Sequence, residues 1–487
     1  MKKTKSTITF IFNGEAVSVN FGNENLLPST TVLNWLRNTQ NHKEVKEGCA
    51  EGDCGACTVV VAEPAPDGQS LIYKAVNACI LFLPTLDGKM LITTAGLSPL
   101  TNDTKELHPV QKAIVHEHAT QCGFCTPGFA MSLFALYHKP GKHSHLEINN
   151  ALAGNLCRCT GYDSIRKAAK SALIGNRTDA FSKKESEIAR LLQNVNDCKT
   201  TLEIKHPLQK YIRPVELKEL LELRALYPEA LIVNGSTDAA LRQSKHFENL
   251  PFIIDISAIS ELQTFEISDN TIIAGAGLCL EDLRLQCEQV YPALYDILSV
   301  FASRQIRNTA TLGGNLGSAS PIGDTLPLLM AGNAEIEASS LRCKRKIPAR
   351  EFVKSYRTTA LSKNEIISKV HIPLPQKDEI IKMYKVSKRH DMDISTVSAA
   401  FLLNKSKTGL VKDFSVYFGG MAATTLPAAK TIRFLMGKKW EESIVIKAMK
   451  ILEKEFKPLS DARSGADFRN LAAAGLLMKF YHETKDV

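Results

Sequence analysis

Apolar and polar positions alternate over residues 6–21, STITFIFNGEAVSVNF, which predicts two strands joined at Asn13-Gly14, a strong hairpin signal. A β-branched apolar run, TVVV, begins at Thr58. The period then changes. VQKAIVHEHATQ (110–121) and FAMSLFALYH (129–138) carry helical apolar spacing, with Val110, Ala113 and Ile114 on one face, and EINNALAGNL (147–156) is a third helical candidate. ALIVNGSTDAAL (230–241) predicts a strand, a Gly/Ser/Thr turn and a helix start with Asp238 in its first turn. Strands are predicted at STVSAAFLL (395–403) and DFSVYFGG (413–420), and helices at LPAAKTIRFLMG (426–437) and EESIVIKAMKILEKEF (441–456). There is no internal repeat and no low-complexity tract. No stretch approaches 18 consecutive apolar residues, so no membrane span is expected.

Composition changes this picture little. The 487 residues predict about three or four domains. The 44% hydrophobic and 23% charged content is that of a globular chain. The net charge of +9 is interspersed and does not point to nucleic acid. The basic start, MKKTKSTITFIFNGE, has no apolar core or small-residue cleavage site behind it, so it is not a secretory signal and a cytoplasmic location is expected.

The twelve cysteines are then better read as metal ligands or catalytic groups than as disulfides. Eight fall into two groups. Cys49, Cys54, Cys57 and Cys79 have the C-x4-C-x2-C…C spacing of a plant-type [2Fe–2S] loop, whose glycines (Gly48, Gly52, Gly55) permit a sharp wrap that aims N–H groups at sulfur. Zinc sites favour paired C-x2-C units and fit this gap poorly. Cys122 and Cys125 (QCGFCTPGF) with Cys157 and Cys159 (NLCRCTGY) form the second group. Spacing alone leaves zinc open there; helix ends beside Gly-rich turns argue for a buried redox centre. Cys198, Cys279, Cys287 and Cys343 read as incidental thiols.

CAEGDCGACTV, CGFCTPGF and NLCRCTGY resemble the molybdenum hydroxylase family, the xanthine dehydrogenase and aldehyde oxidase group. YIRPVELKELLEL, LIVNGSTDAAL, ASRQIRNTATLGGNLGSASPIGDTLPLLMAG and YKVSKRHDMDIS resemble the FAD domain of the same family, so the resemblance runs from about residue 6 to 485. It implies an α+β multidomain chain. A β-grasp [2Fe–2S] ferredoxin domain is expected over 1–90 and a helical-bundle [2Fe–2S] domain over 91–165. A surface linker over 166–205, a two-part α+β FAD-binding domain over 206–385 and a C-terminal α+β domain over 386–487 would follow.

Bottom-up, the two Gly-rich stretches are ambiguous nucleotide sites, with no G-x-G-x-x-G fingerprint and no P-loop. The first turn offers N–H groups and two hydroxyls to a pyrophosphate. By the resemblance, Ile232, Val233, Asn234, Gly235, Ser236, Thr237, Asp238 and Ala239, together with Thr311, Leu312, Gly313, Gly314 and Asn315, would wrap the FAD diphosphate. Phe301 would pack near the flavin, Asp324 would hydrogen-bond the adenosine end, and Ile367 and Lys385 would complete the pocket. Phe301 and Ile367 also suit plain core packing. Tyr356, Arg357, Asp391 and Asp393 lie where the family meets NAD+.

The resemblance therefore implies the small, iron–sulfur/FAD subunit of a bacterial xanthine dehydrogenase type. Electrons from a molybdopterin-binding large subunit would pass through two [2Fe–2S] clusters to FAD and on to NAD+ during hypoxanthine or xanthine oxidation, within a higher-order heteromer. This chain would carry no substrate-hydroxylating residue. The alternatives are the same role for a hydroxylase of aldehydes, N-heterocycles or thioesters, and a non-enzymatic iron–sulfur/flavin redox sensor.

Overall fold

The computed structural model describes residues 4–22, 26–98, 107–195 and 200–486; Cys198 lies outside them. The chain divides into two compact units. The first holds 1–220, 229–259 and 303–310, and the second holds 221–228, 260–302 and 311–487.

In the first unit the alternating segment forms the expected hairpin. Thr7–Phe12 pairs with Glu15–Asn20 in register Phe12↔Glu15, and Asn13 and Gly14 both take positive φ (50° and 100°), as a two-residue primed turn requires. The five-stranded sheet runs, by residue range, 15–20, 7–12, 90–92, 58–64, 71–77, a β-grasp arrangement. Trp35 is fully buried under it, edge-on to Phe10 and Phe12 at 5.3 and 5.5 Å between ring centroids.

Four helices follow: Pro109–His116, Thr126–Tyr137, His145–Leu152 and Asp163–Leu173. Val110, Ala113 and Ile114 face a common core with Leu133, Ile148 and Ala168, as their spacing predicts.

A second sheet of this unit joins Thr4–Lys5 to strands near 200–255. Its order by residue range is 4–5, 201–206, 209–213, 252–255, 231–233, with Thr4 paired in parallel to Thr201. Its Leu202, Ile204, Tyr211, Val233 and Ile253 share one core with Phe10, Trp35 and Val76 of the β-grasp sheet. The strand Thr201–His206 crosses the expected start of the FAD domain at 206, and that expected domain is divided between the two units.

The expected surface linker is corrected here. It forms the helices Ala180–Lys183 and Glu185–Val195, and Phe181, Ile188, Ala189 and Leu192 are buried with Val60, Ala75 and Met131. Asp179 caps the first of these helices and binds two buried histidines. His108 Nε2 lies 2.6 Å and His138 Nε2 2.9 Å from its carboxylate. His108 Nδ1 accepts the Val110 N–H at 3.1 Å, so its proton sits on Nε2 and is donated to Asp179.

In the second unit a five-stranded sheet runs, by residue range, 265–268, 271–275, 366–373, 335–339, 344–348. A four-stranded sheet of 379–386, 397–405, 411–419 and 426–427 packs on the helices Ala429–Leu435, Glu442–Leu452 and Ala466–Thr484. Phe401 stacks on Phe480 at 4.9 Å. No helix among the described residues is long and apolar enough to cross a membrane.

Candidate redox site

The structure gathers each cysteine group. Cys49 and Cys54 are half-buried in the loop before Thr58–Pro64, and Cys57 and Cys79 are buried, 2% and 3% exposed. The Cys49 sulfur accepts the N–H groups of Cys54 at 3.3 Å and Glu51 at 3.5 Å. Hydrogen bonds from the thiols of Cys54 and then Cys79 drive the Cys49 thiol far below its ordinary pKa. Sharing a proton with Cys49 drives Cys54 and Cys79 up. The turn is as tight as glycine allows: a Cβ on Gly48 would stand 2.7 Å from the Cys54 sulfur. Four clustered cysteine sulfurs, one of them backed by N–H groups, fit a [2Fe–2S] group, which needs four thiolates.

In the second group Cys122 and Cys159 are exposed, with sulfurs 3.6 Å apart. Their hydrogen bond holds the Cys159 pKa up. Cys125, the residue before the Thr126–Tyr137 helix, is pushed up to about 12 by burial and by its bond with Cys157. Burial works against ionisation of Cys157 too, but the Thr160 hydroxyl (3.2 Å) and N–H (3.4 Å) outweigh it and lower its pKa. All four thiols converge, and this donor set also fits.

The two groups are joined backbone to backbone. The Cys54 carbonyl accepts the Leu156 N–H at 3.0 Å, one residue before Cys157. The approach needs glycine on three segments. A Cβ on Gly55 would lie 2.1 Å from the Gly154 oxygen, and one on Gly128 would lie 2.3 Å from the Gly55 oxygen.

The candidate flavin residues lie in both units. In the first unit, Leu231–Val233 leads into Asn234, Gly235, Ser236, Thr237 and Asp238, and then the helix Ala239–Ser244. Gly235 has φ +72°, and a Cβ there would collide with the Thr309 carbonyl at 1.8 Å. Asn234 Nδ2 is buried with no hydrogen-bond partner among the described residues, an orphan donor of the kind a diphosphate would satisfy. The expectation of two hydroxyls is corrected. Ser236 Oγ donates to the Ile80 carbonyl at 2.6 Å, next to Cys79, so its single proton is taken. Asp238 is exposed and its side chain makes no cap hydrogen bond.

In the second unit, Thr311 caps the short helix Leu312–Gly317, its hydroxyl accepting the Gly314 N–H at 3.1 Å. Gly313 N–H is bound to the Ala276 carbonyl at 2.8 Å, so neither group is free for phosphate. Asn315 Oδ1 accepts from Thr325 Oγ1. Asp324 is buried, and its two oxygens already accept from Lys385 Nζ at 2.9 Å and from Ser395 Oγ. It is thus first of all the partner of Lys385, which also donates to the Val300 carbonyl at 3.1 Å, beside half-buried Phe301. Ile367 is buried in the sheet. Tyr356, 61% exposed, and Arg357 lie between the paired strands Val353–Ser355 and Thr358–Thr359. Asp391 is half-buried in a separate loop, 3.1 Å from His390 Nδ1, and Asp393 of the same loop accepts the Arg389 N–H at 2.9 Å.

Comparison with known proteins matches four successive family models. A 2Fe-2S iron-sulfur cluster binding domain covers 23–83 and a [2Fe-2S] binding domain 93–170. The FAD binding domain in molybdopterin dehydrogenase covers 203–375, and the CO dehydrogenase flavoprotein C-terminal domain 382–484. The chain belongs to the molybdenum hydroxylase family. It carries the [2Fe–2S]-binding and FAD-binding domains of a molybdenum hydroxylase. It is 34% identical to xanthine dehydrogenase of Emericella nidulans, over 98% of this chain and 38% of that protein. It is 33% identical to xanthine dehydrogenase 1 of Arabidopsis thaliana, over 93% and 38%. Aldehyde oxidase 1 of Bos taurus is 29% identical, over 99% and 40%. The chain thus spans about two fifths of the length of these relatives. The fold is shared with quinoline 2-oxidoreductase of Pseudomonas putida 86, with TM-score 0.53 and 24% identity over 57% of this chain and 98% of that one. Carbon monoxide dehydrogenase of Hydrogenophaga pseudoflava gives 0.53 and 23%, over 57% and 96%.

Sequence reasoning missed the polar groups that tie these loops together: Ser132, Asn155 and Gln305, all buried. Cys157 marks the neighbourhood of Asn155, but nothing in the sequence pattern connects Gln305 to it.

Proposed function

We propose that this chain is the electron-transfer part of a xanthine dehydrogenase-type oxidoreductase. Its eight grouped cysteines would hold two [2Fe–2S] clusters, its Gly-rich turns would hold FAD, and NAD+ would be the acceptor. A molybdopterin-binding partner subunit would oxidise the purine. When bound, the clusters supply one-electron transfer and the flavin the conversion between one- and two-electron steps.

The observation that carries this reading is the run of short links between the cysteine groups and the flavin turn. Cys157 follows Leu156, whose N–H donates to the carbonyl of Cys54. Cys79 precedes Ile80, whose carbonyl accepts from Ser236 of the flavin turn. These links support a helical-domain, β-grasp, flavin order. The exposure of Cys122, Cys159 and Phe124 supports electron entry from a partner at that edge. Exposed Tyr356 supports access for a soluble nucleotide. The aldehyde oxidase and quinoline 2-oxidoreductase likenesses favour, as a second reading, the same role with an aldehyde or N-heterocycle substrate.

The chain purified with its native partner should contain about four irons and four acid-labile sulfides per chain, with FAD and molybdenum. Alone, it should oxidise NADH with a dye acceptor and not reduce NAD+ with xanthine. Adding the partner should restore xanthine-dependent NAD+ reduction. Restoration by aldehydes or quinolines only would move the reading to the second one. Stoichiometric zinc in place of iron, or xanthine oxidation by the chain alone, would overturn it.

A further inference from the structure

Gln305 lies far in sequence from all eight grouped cysteines, yet its side chain is completely buried within the first unit, between both cysteine loops. The geometry around it follows from one fixed acceptor. The Gly55 carbonyl, between Cys54 and Cys57, can only accept, and Asn155 Nδ2 faces it at 2.9 Å while also reaching Thr58 Oγ1 at 3.1 Å. This turns Asn155 Oδ1 the other way, where it accepts from Ser132 Oγ at 2.6 Å and from Gln305 Nε2 at 3.0 Å. Ser132 has spent its proton, so its lone pair accepts from Gln305 Nε2 at 2.8 Å. Position 305 therefore calls for a donor, which Nε2 supplies, while Gln305 Oε1 is buried with no hydrogen-bond partner among the described residues. The rest of the side chain presses on Gly154, where a Cβ would stand 2.2 Å from Gln305 Oε1. The next residue, Ile306, lies against Gly52 of the first cysteine loop, its Cδ1 2.9 Å from where a Cβ would be.

We propose that Gln305 is a positioning residue for electron transfer between the two cysteine groups, an inference that rests on the function proposed above. By orienting Asn155 and bracing Gly154, it holds the Leu156 N–H on the Cys54 carbonyl and so sets the gap between the two ligand loops.

The test compares Gln305→Leu, which removes the donor, with Asn308→Ala. Asn308 sits on the same segment and donates to the Ala75 carbonyl at 2.8 Å, but among the described residues no hydrogen bond takes its side chain to either cysteine loop. Two readouts are taken on the full-length, cofactor-loaded chain. One is hydrogen–deuterium exchange of the peptide covering 153–159. The other is the magnetic interaction between the two reduced paramagnetic centres. Gln305→Leu should exchange about tenfold faster in 153–159 and change the magnetic splitting, with iron and FAD content retained. Asn308→Ala should lower the melting temperature and leave both readouts alone. Gln305→Met, which keeps the length of the side chain and has no donor, is read in the same way should the leucine variant not fold. Wild-type exchange and splitting in a folded, iron-replete Gln305 variant, or equal changes in Asn308→Ala, would overturn the assignment. A wild-type chain without two iron signals would instead overturn the proposed function, and the exchange arm would still decide the role of Gln305.

Discussion

Gly128→Ala offers a test in which local and tertiary physics predict opposite signs. Gly128 lies inside the helix Thr126–Tyr137, where replacing glycine by alanine ordinarily stabilises by about 1 kcal/mol. Here the added methyl would meet the Gly55 carbonyl oxygen at 2.3 Å and Asn155 Nδ2 at 2.9 Å. The first is backbone and cannot swing away. Overpacking against such atoms costs about 1–3 kcal/mol, and the upper half of that range applies to an immovable carbonyl. The net expectation is a loss of about 1–2 kcal/mol, a fall in melting temperature of a few degrees for a unit of this size. Because Gly55 stands between Cys54 and Cys57, the displaced strip should also loosen the first cysteine loop, read as iron lost on dialysis. Thermal denaturation of the loaded protein, with iron analysis before and after, measures both. A melting temperature raised by the amount helix propensity alone requires, with iron retained, would refute the packing of this helix on the cysteine loop.

Three further outcomes follow from the geometry. Asp324→Ala should strand the buried Lys385 ammonium, whose side chain is 5% exposed, at a cost of about 3–5 kcal/mol, seen as loss of FAD on dialysis and a lower urea midpoint. Cys57→Ser and Cys125→Ser should each halve the iron, to about two per chain, and each abolish a different paramagnetic signal; loss of both signals from one change in a folded protein would break the grouping. Stability should fall with acid in two stages. Burial, though opposed by Asp179, holds the His108 pKa below its ordinary value, so the unfolded chain takes up its proton first and stability declines below about pH 6.5. Burial opposes ionisation of Asp179, but the bonds from His108 and His138 win and hold its pKa far down, so its contribution is present above about pH 4 and is lost below it. Asp179→Asn should flatten the lower stage in pH-dependent denaturation.

What was legible in the sequence was local. The hairpin at Asn13-Gly14, the Val110 helix face and the cysteine groups each rest on a few neighbouring residues, and the structure gathers the thiols that the spacing groups. What was not legible arose from long separations. Asn155 and Gln305 stand 150 positions apart and meet only because Ser303–Ala310 inserts into the first unit. The segment 166–205 reads as a linker because it is polar and mixed in composition, but its apolar residues Phe181, Ile188 and Leu192 are buried. At Asp324 and Ser236 the residue type was informative and the partner was not. A carboxylate or hydroxyl in a Gly-rich turn invites a ligand, and here Lys385 and the Ile80 carbonyl reach them first.

The pairing of Thr4–Lys5 with Thr201–Leu202 carries a consequence for the timing of synthesis. A ribosome adding about 5–20 residues per second needs roughly 10–40 s to deliver the partner strand after the first has emerged. The β-grasp sheet must wait still longer for Ile253, which completes its shared core. During that interval its apolar underside stands open and the early cysteine loop is formed but unbraced. Metal delivered to the nascent chain would meet thiols that are accessible but not yet held in place. The core beneath the first cysteine loop thus closes only after translation of a region more than a hundred residues beyond that loop.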